Sequence, residues 1–247
     1  MSVLVLAAKA RYLWQGKGVE CDQERGVTEL HRKEGVMSDE VVFYYNPMSR
    51  ARIVHWMLEE AGAPYRMELI NFERGDHKKD AFLAVNPMGK LPTIVHRGVA
   101  VTESAAICAY LADAFPDAGL APPVTAPERG TYYRWMFFGA GCVDPAMIDR
   151  MTSRPATPRP SSNGYGSYED TINALEKALS PGPYILGERF SAADVYVGSQ
   201  IRFGLMTKSL EARPAFATYI ERMANRPAMK RVEEQTGQFM ARLKATA

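Results

Sequence analysis

The stretch MGKLPTIVHRGVAVTESAAI, residues 88–107, decides the fold of this chain. An apolar run starts directly after Leu91-Pro92, turns at Gly98, and enters a helical pattern at Glu103-Ser104. Branched aliphatic residues on both sides of a glycine turn predict two paired strands. The following SAAICAYLADAFP has the spacing of an amphipathic helix. The stretch therefore predicts a β-β-α unit.

The residues upstream predict a β-α-β unit. VVFYY, residues 41–45, is a short run of β-forming residues and predicts a strand. YRMELINF, residues 65–72, alternates between polar and apolar residues and predicts a second strand. Between them SRARIVHWMLEEAG has apolar residues at helical spacing, and Gly62 followed by Pro64 is a helix stop. KKDAFLAVNP, residues 78–87, predicts a short connecting helix. The order β-α-β, helix, β-β-α predicts a small mixed sheet with helices packed on it.

The pattern changes after Pro116. DAGLAPPVTAP, residues 117–127, has the composition of a linker, and the later segments have helical periodicity. The first of these segments, residues 128–151, has a glycine break at Gly139. We therefore predict an α/β domain over residues 39–117 and an all-helical domain over residues 118–247. Within the helical domain, FSAADV predicts a capping box, in which Ser191 is the N-cap and Asp194 is the acidic residue that pairs with it.

Residues 1–38 differ in character from the rest. VLVLAA is too short for a signal-peptide core, and the acidic residues that follow argue against a mitochondrial targeting segment. Met37 comes immediately before the first strong strand. We expect these residues to form an unstructured or spurious extension, with a targeting or docking arm as the alternative.

Composition excludes several classes of function. The chain has 247 residues, a formal charge of +2 and no long basic run, which argues against nucleic-acid binding. No apolar run approaches the roughly 18 residues that a membrane helix needs. Three cysteines without a CxxC pair indicate a reducing compartment, so we expect a cytoplasmic protein. The four histidines lack metal-ligand spacing, and the sequence predicts no metal site.

The chain resembles the cytosolic glutathione S-transferase family over roughly residues 39–237. Three features carry the resemblance: YYNPMSRA at the end of the first strand, NPMGKLPTI followed by VTESAAICAYL, and FSAADV in the helical part. The resemblance implies a thioredoxin-like N-terminal domain (βαβ-α-ββα) and an all-α C-terminal domain. It also implies a glutathione transferase, an enzyme of detoxification that transfers alkyl or aryl groups to glutathione.

The same resemblance assigns glutathione-binding residues. In the family the proline at the position of Pro92 is cis, and the backbone of the residue before it, here Leu91, pairs with the cysteinyl unit of glutathione. Ser104 would bind the carboxylate of the γ-glutamyl group, consistent with the anion preference of a helix N-terminus. Glu103 would bind the ammonium of that group. Lys90 would either reach the glycyl carboxylate or remain a solvated surface lysine.

Thiol activation is expected at residues 45–50. The family contains members with a catalytic serine two residues after the proline, and Ser49 occupies that position. Other members use a tyrosine at the end of the first strand, which makes Tyr45 the alternative. We prefer Ser49, and hence the serine subgroup of bacterial members, because Ser49 also begins the first helix. Arg50 stands where some bacterial members carry cysteine, so a cysteine-dependent mechanism lacks its nucleophile.

The second substrate is expected to be a small apolar electrophile. An aromatic cluster follows residue 131, on the helix that lines the hydrophobic pocket in the family. We expect two or three members of this cluster to face the pocket and take Tyr132, Trp135 and Met136 as the candidates. The sequence does not determine which members face it, and core or dimer interface is the alternative for each. Because family members are usually homodimers, we expect a homodimer.

Two alternatives remain open at the level of sequence. One is a related glutathione-dependent reaction, namely isomerisation, dehalogenation or peroxide reduction. The other is a non-catalytic member of the same fold that serves as an interaction module. Retention of Ser49, Leu91-Pro92 and Glu103-Ser104 favours the enzyme, because a binding module need not keep a hydroxyl aimed at a thiol.

Overall fold

A four-stranded sheet in the order β2-β1-β3-β4 lies at the centre of the computed structural model, which describes residues 39–180 and 182–245. The predicted extension, residues 1–38, lies outside the described residues. β1 runs parallel to β2 and antiparallel to β3, and β3 and β4 are antiparallel. The strand bounds are Val41–Tyr45 for β1, Tyr65–Leu69 for β2, Thr93–His96 for β3 and Val99–Thr102 for β4.

Three helices accompany the sheet. They are α1, Ala51–Ala61, the single turn α2, Asp80–Leu83, and α3, Ser104–Ala114. Alternate residues of β1 are fully buried beneath α1, as expected for a strand with one face on a core. α1 ends at Gly62, whose left-handed φ of 61° lets its N–H reach the carbonyl oxygen of Leu58.

The remaining elements are helical. They are α4, Glu128–Phe138, α5, Asp144–Met151, α6, Tyr168–Ala178, α7, Ala192–Thr207, α8, Pro214–Ala224, and α9, Pro227–Ala245. α7 packs against α1, α3 and α4, and α9 packs along α1. None of the described helices is both long and apolar enough to cross a membrane. The predicted fold class, a small α/β part followed by a helical part, is confirmed.

The predicted domain boundary at residues 117 and 118 falls between α3 and α4, in a short 3₁₀ turn, Pro116–Ala118. The hydrophobic core runs without interruption from the sheet into the helices. Residues 39–117 and 118–247 therefore share one core, and their division into separate domains stays a prediction.

A π-helical turn, Gly139–Val143, joins α4 to α5 where the sequence indicates a glycine break. A side chain at Gly139 would meet the ring of Tyr196 at 2.9 Å, so α7 approaches too closely for any larger residue. The glycine thus permits a close helix contact instead of ending the helix, and the helical path continues through it to Asp144.

The capping box of Ser191 and Asp194 forms at the start of α7, and both residues are fully buried. The Asp194 carboxylate accepts hydrogen bonds from the Ser191 N–H at 2.8 Å and the Ser191 hydroxyl at 2.9 Å. It also accepts the N–H of Ile185 and the hydroxyl of Tyr219, each at 2.8 Å. Burial raises the pKa of this carboxyl, while the hydrogen bonds oppose the rise. One side chain therefore connects α7 to α8 and to the preceding loop.

Replacing Asp194 by alanine should lower the free energy of unfolding by about 3 kcal/mol, because four buried donors lose their acceptor. Urea unfolding followed by circular dichroism measures the loss. A matched control exists in Ser167 and Asp170, which form a similar but exposed cap on α6. Asp170→Ala should cost no more than about 1 kcal/mol. Equal losses in the two variants would show that burial of the Asp194 network adds nothing.

Candidate functional site

The register of three strands brings three chain segments together at one end of the strands. Tyr44 of β1 stands opposite Thr93 of β3, and Thr93 stands opposite Thr102 of β4. The segment after β1, the segment before β3 and the segment after β4 must therefore lie side by side. These segments contain Ser49, Leu91-Pro92 and Glu103-Ser104 respectively, so the predicted residues converge.

The Leu91-Pro92 peptide bond is cis, as the resemblance implies. Leu91 is partly buried and Lys90 is exposed. Among the residues that the structure describes, the N–H and C=O groups of Leu91 have no hydrogen-bond partner. A strand-forming ligand could pair with both groups, whereas the Lys90 side chain has no contact that fixes its direction.

Asn86, which the sequence analysis did not single out, holds the loop before Leu91. This buried side chain donates to the carbonyl oxygen of Lys90 and to the hydroxyl oxygen of Thr93, both at 2.9 Å. Its own Oδ1 accepts the N–H of Met88 at 3.1 Å. One amide group therefore holds the loop at three points.

A second asparagine holds the segment after β1 in a similar way. Asn46 donates to the carbonyl oxygen of Ile70 at 2.8 Å and accepts the N–H of Met48 at 2.8 Å. Both asparagines begin an Asn-Pro-Met tripeptide, at residues 46–48 and 86–88. This repeated tripeptide is the signal by which the two anchors could have been found.

Ser49 lies in the turn that Asn46 organises. Its hydroxyl donates to the Asn46 carbonyl oxygen at 2.8 Å and accepts the N–H of Ala51 at 3.1 Å. The N-cap of α1 is Arg50, one residue later than expected, so Ser49 acts from just outside the helix. The N–H of Arg50 has no hydrogen-bond partner within the described part of the chain. This turn therefore presents a hydroxyl and an open N–H at the positive end of α1.

Glu103 and Ser104 form the start of α3. Ser104 is the first helical residue, and Glu103 precedes it with φ 67° and ψ 120°, an uncommon conformation for a residue other than glycine. The first hydrogen bond of the helix runs from the Ile107 N–H to the Glu103 carbonyl oxygen. The N–H groups before Ile107 consequently face outward, and the exposed Glu103 carboxylate stands beside them.

Tyr45 does not point toward these three segments. Its buried hydroxyl lies 3.3 Å from the Thr236 hydroxyl of α9, and burial raises its pKa. Its ring packs edge-on against His55 and Phe239. A cavity of about 350 Å³ opens at this place, between α1, β2 and α9, away from the convergent segments. Its lining residues are Tyr45, His55, Tyr65, Met67, Gln235, Gln238 and Phe239.

The three residues assigned to a substrate pocket are core residues. Tyr132, Trp135 and Met136 have exposed fractions of 0%, 7% and 2%, and all three belong to the central hydrophobic cluster. The exposed aromatic side chains of α4 are Tyr133 and Phe137, which pack against each other. The assignment to an open pocket is therefore corrected. The face of α4 with Tyr132, Trp135 and Met136 packs into the core, and the face with Tyr133 and Phe137 is exposed.

Neither described cysteine is suited to nucleophilic chemistry. Burial raises the pKa of both Cys108, in α3, and Cys142, in the π-helical turn. In the described part of the chain, no group of three or more His, Cys, Asp or Glu side chains is placed to share a metal ion.

A thioredoxin-like sheet with a cis-proline loop, followed by a helical part, defines a class of glutathione-dependent proteins. The chain matches the family model described as glutathione S-transferase, N-terminal domain, over residues 47–114. It matches the model for the glutathione S-transferase C-terminal domain over residues 161–222.

Similar proteins agree with these models. Glutathione S-transferase GstA from Escherichia coli O157:H7 is 30% identical over 198 residues, covering 76% of this chain and 94% of the relative. Disulfide-bond oxidoreductase YfcG from Escherichia coli K12 is 26% identical over 75% of this chain and 90% of that protein. A glutathione transferase homologue from Sulfitobacter, solved with bound glutathione, is 27% identical with a TM-score of 0.64, covering 80% of this chain and 99% of that one. The chain belongs to the glutathione S-transferase family.

Replacing Asn86 by alanine should lower the free energy of unfolding by about 1–3 kcal/mol, since the buried groups that it contacts lose their partners. Chemical denaturation provides the measurement. Asn225, which is exposed and donates one hydrogen bond to Glu221, supplies the control, and Asn225→Ala should change stability by less than about 0.5 kcal/mol. If Asn86→Ala is as mild as the control, the loop is held by other contacts.

Proposed function

We propose that this chain is a glutathione transferase that activates the thiol of glutathione for attack on a small electrophile. The observation that supports this best is the convergence of three segments whose backbone donors are open. They supply an unpaired strand segment at Leu91, a helix N-terminus at Ser104, and a second helix N-terminus at Ser49 and Arg50.

The bound tripeptide would be recognised group by group. Its γ-glutamyl carboxylate would accept hydrogen bonds from Ser104 and the first turn of α3, while its ammonium would lie against Glu103. Its cysteinyl unit would pair with the N–H and C=O groups of Leu91, as in an added strand. Lys90 is proposed for the glycyl carboxylate.

Thiol activation is proposed for Ser49. A free cysteine thiol has a pKa of about 8.5, and lowering this value by about two units requires roughly 2.7 kcal/mol. A hydroxyl hydrogen bond to a charged sulfur supplies about 1.5–3 kcal/mol, and a helix N-terminus adds about 0.3–1 kcal/mol. Rotation of the Ser49 hydroxyl away from Asn46 would direct its proton to the sulfur, and the Arg50 N–H would supply a second donor. These contributions reach the required free energy without a protein cysteine.

The residues proposed to contact the second substrate lie on the exposed face of α4. Tyr133 and Phe137, whose exposed fractions are 38% and 71%, replace the buried residues as candidates for contact with an electrophile or a second subunit. We propose a homodimer, supported by these exposed rings and by the exposed Val99 on edge strand β4. A role in detoxification and a cytoplasmic location are proposed on the family relationship and the unpaired cysteines.

Millimolar glutathione should raise the melting temperature of the protein. At about a hundredfold excess over its dissociation constant a ligand stabilises a fold by about 2.7 kcal/mol, which corresponds to about 5–10 °C here. Differential scanning fluorimetry with and without glutathione measures the shift. The shift should disappear in Glu103→Ala and persist in Glu128→Ala, which removes an exposed acid from the start of α4. No shift in the unaltered protein would overturn the assignment of the site.

Ser49→Ala should raise the pKa of bound glutathione by about 1–2 units, because the proposed hydrogen bond to the thiolate is lost. The dissociation constant, measured at about pH 6 where the thiol is largely protonated, should change by no more than about threefold, because the hydroxyl would touch the tripeptide at the sulfur alone. The ultraviolet absorbance of the thiolate, titrated in the binary complex, gives this pKa. Ser49→Thr keeps a hydroxyl and should restore much of the activation. If Tyr45→Phe raises the pKa and Ser49→Ala does not, Tyr45 is the activating residue.

A further inference from the structure

Arg50 extends from the proposed thiol site into the helical part of the molecule. Its Nη2 atom donates to Asp144 Oδ1 at 2.6 Å, and its guanidinium lies 5.7 Å from the ring centroid of Phe203 in α7. Since Arg50 follows Ser49 directly, their Cα atoms are about 3.8 Å apart. The positive charge therefore lies within one side-chain length of Ser49, between the proposed thiol site and helices α5 and α7.

The guanidinium is only partly satisfied by these contacts. Of its three nitrogens, Asp144 engages Nη2, and Nε and Nη1 have no hydrogen-bond partner among residues 39–180 and 182–245. The side chain is 38% exposed, so part of its surface borders an open space. The Asp144 side chain is 23% exposed, and it is the acid that the structure places on this guanidinium.

We propose that Arg50 selects electrophiles that carry a carboxylate, an inference that rests on the proposed function. A planar guanidinium binds a carboxylate through two parallel hydrogen bonds, either from Nε with Nη2 or from Nη1 with Nη2. The single bond to Asp144 occupies one Nη2 proton and leaves one of these two donor pairs complete. Asp144 holds the guanidinium in one orientation and Phe203 lies beneath it. An uncharged apolar electrophile in the same place would remove water from the open donors without replacing it, at a cost in affinity. The site therefore favours a substrate that is apolar at its reacting carbon and anionic at its far end.

A pair of matched electrophiles tests this preference. 4-Chloro-3,5-dinitrobenzoate and 1-chloro-2,4-dinitrobenzene react in the same way: the sulfur forms a bond to the ring carbon, the carbon–chlorine bond breaks, and chloride leaves with the bonding electrons. The proton of the thiol passes to solvent, and the carboxylate of the first compound does not react. For each compound, kcat/KM is divided by its uncatalysed second-order rate constant with glutathione. The ratio of the two quotients, carboxylate over neutral, isolates the contribution of the carboxylate.

Arg50→Gln should lower this ratio at least tenfold. Arg50→Lys, which keeps the charge but not the two parallel donors, should lower it less. Arg202→Gln is the matched control, because Arg202 is 41% exposed and also pairs with one acid, Glu233 of α9. Its ratio should equal that of the unaltered protein. An unchanged ratio in Arg50→Gln would overturn this inference alone, because the ratio cancels any effect that the two compounds share. Absence of conjugation with both compounds in the unaltered protein would overturn the proposed function and this inference with it.

A second measurement needs no variant. In the unaltered protein, 4-nitrobenzoate should compete with 1-chloro-2,4-dinitrobenzene at least tenfold more strongly than 4-nitrotoluene does, although 4-nitrotoluene is the more apolar compound. The advantage should shrink as sodium chloride is raised, because the attraction is between charges. Equal inhibition by the two compounds, or stronger inhibition by 4-nitrotoluene, would contradict a carboxylate-binding role for Arg50.

Discussion

The pairing of Thr93 with both of its neighbouring strands is the constraint on which the rest of the site depends. Thr93 is fully buried and stands between Tyr44 and Thr102 in the sheet. Its hydroxyl donates to the Lys90 carbonyl oxygen at 3.0 Å, so the same residue fixes the strand and the loop before it. A slip of one residue would reverse the faces of β3 and separate the segments at its end. The strand register therefore places the segments of the site, whichever side chains they carry.

The two asparagine anchors explain how these segments hold their shape. Asn46 and Asn86 are both buried, and a buried amide is tolerated only when it is hydrogen-bonded. Each uses its Oδ1 for the N–H two residues later and its Nδ2 for a carbonyl oxygen elsewhere. Because the polar groups of both asparagines are occupied, the groups left unpaired at these segments, among the described residues, are the backbone groups of Leu91 and Arg50 and the first N–H groups of α3. Such preorganisation lowers the entropic cost of ligand binding.

Local pattern was sufficient to predict the elements of the α/β part. The β-β-α unit after Pro92, the helix stop at Gly62 and the capping pair of Ser191 and Asp194 each depend on residues close in sequence, and periodicity or turn chemistry reports them directly. The β-α-β order then restricts how the strands can be arranged. The convergence of the segments follows from that arrangement once the strands pair.

The positions that the sequence could not supply depend on distant contacts. α4 carries aromatic residues on several sides, so spacing alone does not tell which face α3 and α7 cover, and Tyr132 was assigned to a pocket although it is fully buried. Gly139 looked like a break because its role depends on Tyr196, far away in the chain. Asn86 resembled an ordinary turn residue, since its importance lies in two acceptors that the fold brings to it.

The charges around α1 explain why its N-terminus is available to an anion. The helix has no acidic residue in its first turn, where a carboxylate would otherwise offset the dipole. Its acids, Glu59 and Glu60, lie at the opposite end, where they oppose the dipole and need compensation. That compensation comes from Arg231 of α9 and from Arg226 just before it, the latter binding Glu60 through two hydrogen bonds at 2.6 and 2.7 Å. The C-terminal helices thereby hold α1 in place, and an N-terminus without an acidic residue in its first turn favours the proposed thiolate.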